Sequence, residues 1–266
     1  MPYTVRTLRL GEIYLPGAHE NSDWTPICAW CLHDGTNWTL VDTGMADAKA
    51  VTAKWKIEAR GGGEAALREA LAPLGITPAD IGCVILTHLH FDHAWNLELF
   101  PKARMLVQKE ELVHALDPVP SQRLYYTRHT MEQLLDRRRP AQLELLEGDR
   151  ELADGLTVLK TPGHTPGMQV TCVTTARGRV GLVSDLGEEY GCWYPADPAA
   201  TPRPQRFLAD TFRPGAIRSE SERTYIASMR RVFERVDIVV PAHDVRIPTD
   251  IPTEWYDRPR HPVAAA

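Results

Sequence analysis

No stretch of this 266-residue chain approaches the roughly 18 to 20 apolar residues of a membrane-spanning helix, and no membrane role is expected. Nor does Met1 to Gly17 carry a basic start, an apolar run and a small-residue cleavage site, so a cytoplasmic location is expected. Excess positive charge is missing too. The 30 Lys+Arg stand against 35 Asp+Glu, a net charge of −5, which argues against nucleic acid or anionic lipid as a partner. Cysteine is sparse and odd in number: Cys28, Cys31, Cys83, Cys172 and Cys192 are not the dense, even set of a disulfide-stapled secreted domain, and free thiols are expected. Cys28 and Cys31 form a C-x-x-C, but no second pair follows. They lie in Ile27-Cys28-Ala29-Trp30-Cys31-Leu32, an apolar stretch that reads as a strand in which residues three apart face opposite sides. What the chain does have is 43% apolar residues, enough for a full core, and one domain over residues 1–266 is expected.

Short strands are expected at Tyr3 to Leu10, Ile27 to His33 and Trp38 to Val41, the last two joined by Asp34-Gly35-Thr36-Asn37. Gly61-Gly62-Gly63 lacks the Lys-Ser/Thr of a phosphate loop and reads as a flexible connection. It leads into a helix over Glu64 to Leu74, where Ala66, Leu67, Ala70, Leu71 and Leu74 recur at helical spacing before Gly75. Cys83 to Leu86 suits a buried strand, as does Arg104 to Val107. Helices over Glu110 to Leu116 and Arg123 to Arg138 then look inserted between sheet strands. Strands follow at Gln142 to Leu146, Leu156 to Lys160, Met168 to Thr174 and Val180 to Ser184. After a Pro-rich loop from Tyr194 to Pro204 come a helix near Ser221 to Arg235 and a strand Ile238 to Val240. Arg137-Arg138-Arg139 reads as a solvated helix end that complements the helix dipole.

Chemistry gathers at strand ends. Three of the ten histidines fall in His88-Leu89-His90-Phe91-Asp92-His93, directly after the strand that ends at Leu86. Imidazole and carboxylate together suit zinc and other divalent first-row metals, and four donors in six residues exceed what one open catalytic site takes from a single segment, so two metals are expected. His164 in Thr161-Pro162-Gly163-His164-Thr165-Pro166-Gly167, Asp185 after Val183-Ser184, and His243 after Val240-Pro241-Ala242 each follow an expected strand. That placement gathers donors at one edge of a sheet scaffold.

This ordered set resembles the metallo-β-lactamase superfamily, as do Val41-Asp42-Thr43-Gly44 and the Thr-Pro-Gly-His-Thr-Pro-Gly signature around His164. The resemblance implies an α+β fold, a four-layer αββα sandwich with the site at one edge of two sheets. It implies one metal held by His88, His90 and His164, a second by Asp92, His93 and His243, Asp185 bridging both, and Asp42 supporting the site from behind. The bridging Asp, which true β-lactamases lack, and His90, which the flavodiiron branch replaces by Glu, together favour hydrolysis. Among dinuclear members the chain is most similar to N-acyl-homoserine-lactone lactonases and 4-pyridoxolactonase. Those place Gly-Gly where Trp95 stands and a Tyr three residues after the bridging Asp. Here Glu188 holds that position, and Tyr190, two residues on, is the expected carbonyl-facing phenol.

The expected reaction is attack on a lactone or related ester carbonyl of a small molecule by a hydroxide bridging two divalent ions, zinc first, with Mn, Fe or Co as alternatives. Asp92 is the candidate proton shuttle, with a pure ligand role as the alternative. A glyoxalase-II-like thioesterase, a metal-dependent phosphodiesterase or nuclease, and a noncatalytic metal-binding module remain open. A homodimer is expected from the resemblance alone. Trp24, Trp30, Trp95, Tyr125, Tyr126, Tyr190, Trp193 and Tyr194 are candidates either for pocket walls or for the core.

Overall fold

The computed structural model describes residues 1–19, 22–136, 142–197, 200–201 and 212–251. Two sheets face each other. The first contains β1 (Thr4–Tyr14), β2 (Trp24–His33), β3 (Trp38–Val41), β4 (Ala59–Gly61), β5 (Ile81–Ile85), β6 (Arg104–Gln108), β7 (Leu143–Leu146) and β13 (Asp250–Ile251), in the order β13-β1-β2-β3-β5-β6-β7 with β4 also paired to β1. The second contains β8 (Arg150–Ala153), β9 (Leu156–Lys160), β10 (Gln169–Thr175), β11 (Gly178–Ser184) and β12 (Ile238–Pro241), in the order β12-β11-β10-β9-β8. Helices α1 (Ala48–Trp55), α2 (Gly63–Leu71), α3 (Lys109–Leu116) and α4 (Arg128–Leu134) occur within the first half of the chain, and α5 (Tyr190–Trp193) and α6 (Glu222–Phe233) within the second.

Side-chain alternation sets the layers, because successive strand residues face opposite sides. Val158, Leu182 and Val240 of the second sheet pack with Val5, Trp30, Val41 and Ile85 of the first in a shared inner core. Their neighbours Leu159, Val183 and Val239 turn outward onto Tyr225, Met229 and Val232 of α6. On the opposite outer face, Leu40, Val84 and Met105 meet Leu67 and Leu71 of α2, Leu112 of α3 and Leu134 of α4. This is the expected αββα sandwich. Cys28 lies in the inner core and Cys31 in the outer one, as a strand spacing of three requires, and all five thiols are free. Burial pushes Cys28 and Cys31 up to about 12, so neither is a poised thiolate.

Strand direction then gathers the donors. β3 and β5 run parallel, β11 and β12 run parallel, and β9 is antiparallel to β10, which is antiparallel to β11. The ends of β3, β5, β9, β11 and β12 therefore deliver Asp42, His88 to His93, His164, Asp185 and His243.

Two expectations change. The triple glycine is not a loose connection: Gly61 ends β4, all three glycines have positive φ, and a Cβ on Gly62 (φ 77) would overlap the Ala46 carbonyl oxygen. The helix expected over Arg123 to Arg138 is confined to α4. Its Thr127 cap accepts from Thr130 N–H, while the preceding residues pair with the His90 loop through Phe91 N–H to Tyr125 O (2.9 Å) and a His90–Tyr126 bridge. Pairing with the loop wins over local helix propensity there. Residues 137–139 and 202–204 lie outside the described residues.

Candidate metal centre

His88, His90, Asp92, His93, His164, Asp185 and His243 converge, and their donor atoms fall into three overlapping groups, each within 4.8 Å. Asp185 stands at the middle. Its Oδ1 is 3.2 Å from His93 Nε2 and 3.2 Å from His243 Nε2, whereas its Oδ2 is 3.3 Å from His164 Nε2 and 3.9 Å from His88 Nε2. Asp92 Oδ2 lies 3.5 Å from His93 Nε2 and 3.7 Å from His243 Nε2. One carboxylate thus presents one oxygen to each of two histidine groups.

The nitrogens that face inward are fixed from behind. Asp42 has φ 64 and is fully buried. Its Oδ1 accepts from Thr87 N–H (2.8 Å), and its Oδ2 accepts from Thr87 Oγ1–H (2.8 Å) and His93 Nδ1–H (3.0 Å). Having given its proton to Asp42, Thr87 Oγ1 is left to accept from His88 Nδ1–H at 3.1 Å. His243 Nδ1–H donates to the Pro26 carbonyl at 2.8 Å. These bonds leave Nε2 of His88, His93 and His243 as the unprotonated, inward-facing atom when the ring is neutral. Among the described residues, Nε2 of His88 is buried without a hydrogen-bond partner, Nε2 of His93 is buried with the Asp185 and Asp92 carboxylates near it, and His90 Nδ1 faces His164 Nε2 at 3.0 Å. Orphaned, converging imine nitrogens beside two carboxylates fit divalent cations, and zinc suits the donor set.

A buried clamp joins the two ligand-bearing loops. Glu111 of α3 is fully buried; Oε1 accepts from Leu89 N–H and Tyr126 O–H, both 3.0 Å, and Oε2 accepts from Thr165 Oγ1–H at 2.6 Å. Gly167 allows this approach, since a Cβ there would overlap the Glu111 backbone. Gln122 Nε2 donates to the His164 carbonyl at 2.7 Å. Sequence reading missed Glu111 and Gln122, because a single acidic or amide residue near an amphipathic helix carries no signal of what it faces.

A cavity of about 360 Å³ opens onto His90, Asp92, His164, Asp185 and His243. Its walls include Ile13, Leu15, Ile57, Leu124, Ile217, Trp55 and Phe91, with Tyr125 and Glu188. Trp55 stacks on Phe91 at 4.0 Å, and its Nε1–H donates to the Leu124 carbonyl at 2.9 Å, tying α1 to the segment between α3 and α4. Of the eight aromatic candidates, Tyr125 alone lines this cavity; Trp95 packs on Trp55 and His129 instead. Tyr190 does not take the expected place. It is 1% exposed within the inter-sheet core and absent from the cavity lining, because the chain turns at Gly187 (φ 90) into α5, which is wholly buried.

Charge is divided unevenly. Burial, then neighbouring imidazoles, holds His88 and His90 well below the usual histidine range, and burial lowers His164. Burial also opposes charge on His93 and His243, but the carboxylates outweigh it: Asp185 and Asp92 lift His93 well above the usual range, and Asp185 lifts His243 to about 9. A cation at His93 and His243 must therefore displace protons at neutral pH, whereas His88, His90 and His164 are already neutral. Metal affinity at the Asp92–His93–His243 group is expected to rise with pH up to about 9, and on acidification this group is expected to lose metal first. Competition titrations against a chromophoric chelator from pH 6 to 9 test this, and equal pH slopes for both metals would contradict it. Asp42→Asn turns an NH₂ toward His93 Nδ1 and moves the ring proton onto Nε2. The same titration should show roughly 10- to 100-fold weaker metal binding for this variant.

The family model of the metallo-beta-lactamase superfamily matches residues 23–243. An N-acyl homoserine lactonase of Bacillus cereus is 28% identical over 189 residues, 65% of this chain and 71% of its own. The N-acyl homoserine lactonase AiiB of Agrobacterium fabrum is 30% identical over 156 residues, 54% of this chain and 56% of its own. Among solved structures, an N-acyl homoserine lactone hydrolase with the product N-hexanoyl-L-homoserine at its catalytic metal centre matches with a TM-score of 0.69 and 22% identity, covering 92% of this chain and 94% of that one. The dizinc quorum-quenching lactonase AidC matches with a TM-score of 0.65 and 17% identity, over 93% and 89%. Family match, fold and strand-end histidines agree: the chain belongs to the metallo-β-lactamase superfamily.

Proposed function

We propose that the protein is a dinuclear metal-dependent lactonase whose substrate carries an apolar substituent. The observation that carries this reading is the division of Asp185, Oδ1 toward His93 and His243 and Oδ2 toward His88 and His164, beside an apolar cavity. His88, His90 and His164 would hold one divalent ion, Asp92, His93 and His243 the other, and Asp185 both. Bound there, zinc, or Mn, Fe or Co on the same ligands, would supply Lewis acidity for the carbonyl and for a nucleophilic water.

The chain's own groups do the rest. Asp92 is 9% exposed and lines the cavity, with Oδ2 turned to His93 and His243. Its Oδ1 is left to take the proton of the attacking water and return it to the leaving ring oxygen. Tyr125, its ring 5.0 Å from that of His90, is the phenol at the cavity wall. Burial, then Asp92 and Glu188, pushes its pKa up, so it stays a donor across the neutral range. Trp55, Phe91, Leu15 and Ile57 bury an acyl chain and exclude water. Among the described residues no Lys or Arg lines the cavity, which favours a lactone over an anionic glutathione thioester or a phosphodiester.

Proton release by the metal-loaded protein should reveal turnover of acyl lactones, with kcat/KM rising as the acyl chain lengthens and activity lost in His90→Ala. Turnover of glutathione thioesters alone would replace the reading by the thioesterase. In a fully metallated Asp92→Asn variant, kcat is expected to fall about 100-fold or more with KM within about threefold; unchanged kcat would remove the proton-transfer role.

A further inference from the structure

Outside the donor cluster, few polar side chains line the cavity, namely His19, Thr25, Tyr125 and Glu188. His19 Nδ1 is 3.2 Å from Glu189 Oε1, so any charge on His19 is matched where it stands. Glu188 is held differently. Its Oε1 accepts from Ala216 N–H at 3.1 Å, and its main-chain carbonyl accepts from His243 N–H at 3.0 Å. Gly215 passes so close that a Cβ there would overlap Oε1, which fixes the carboxylate between the 215–216 backbone and the His243 loop. Oε2 has no hydrogen-bond partner among the described residues. The cavity around it is walled by Leu15, Leu124 and Ile217; no Lys or Arg is among the described lining residues, and the groups whose charge favours the ionised carboxylate are the His243 and His19 imidazoles.

We propose that Glu188 is a specificity-determining residue whose Oε2 accepts a hydrogen bond from a donor nitrogen on the substrate, the N–H of an acylamino group next to the lactone carbonyl. This rests on the lactonase reading above. A carboxylate oxygen that faces a mostly apolar cavity is stabilised by a donor on the substrate and left unpaired by a substrate without one. Such a site rejects the analogue lacking the N–H more strongly than it rejects a change in chain length. The same charge repels an anionic substituent at that position.

The test compares kcat/KM for an α-acylamino-γ-butyrolactone and its α-acyloxy isostere, identical except that oxygen replaces N–H. The wild-type ratio is expected to be about 10 to 100 in favour of the acylamino compound. In Glu188→Gln, Ala216 N–H keeps the amide oxygen at the Oε1 position, so the NH₂ turns into the cavity as a donor. The ratio should fall to about one or below. Glu188→Ala should bring it to within about threefold of one. A wild-type ratio near one, or a wild-type ratio preserved in a folded, metallated Glu188→Gln variant, would overturn the proposal while leaving lactonase activity standing. Hydrolysis of neither compound would overturn the lactonase reading and this inference with it.

Discussion

A carboxylate buried where two sheets meet must find positive charge or donors, and Asp185, 5% exposed, has neither from solvent. The structure answers with four imidazole nitrogens within 3.9 Å of its two oxygens, and that requirement orders everything around it. In the metal-free chain, His93 and His243 supply the compensating charge as protonated rings, while His88, His90 and His164 stay neutral. Such a cluster is costly to assemble for stability alone. It fits a site whose proper occupants are cations.

The sandwich makes that assembly achievable. Parallel pairing of β3 with β5 and of β11 with β12 brings four strand ends to one place, so Asp42, the His88 loop, Asp185 and His243 need only short excursions from rigid strands. Asp42 then acts on both halves of the cluster at once, directly on His93 and through Thr87 on His88. Glu111 does the same work from the helical layer, joining Leu89 to Thr165 and so the His88–His93 loop to the His164 loop. Orientation of the donors is thus built from groups that touch neither substrate nor metal.

Much of this was legible in the sequence, and for definite reasons. Short apolar runs between turn and loop residues revealed the strands, and His88 to His93 directly after a buried strand is too dense a donor set for local hydrogen bonding. Asp185 and His243 were legible as members of an ordered set, each at a strand's end. Other features depend on contacts that no local pattern encodes. Counting residues from Asp185 sets Glu188 at the position of the lactonases' Tyr and leaves Tyr190, two residues on, as the candidate phenol; the Gly187 turn and α5 carry Tyr190 into the core and leave Glu188 at the cavity. The Gly61 to Gly63 run looked loose because only tertiary packing shows the backbone against Ala46. Residues 123–127 have helical composition, yet they form a turn that pairs with the His90 loop through Tyr125 and Tyr126 and puts Tyr125 at the wall. The weakly amphipathic α1, with Val51 its one buried residue, gave no sequence signal, and it supplies Trp55.

The central claim is that Asp185 divides its oxygens between two cations. Anomalous diffraction from crystals of the metal-loaded protein tests it most directly. Two peaks about 3.5 to 4 Å apart are expected, one within coordination distance of His88, His90 and His164, the other of Asp92, His93 and His243, with one Asp185 oxygen on each. A single peak at full loading, or both Asp185 oxygens on the same ion, would contradict the account.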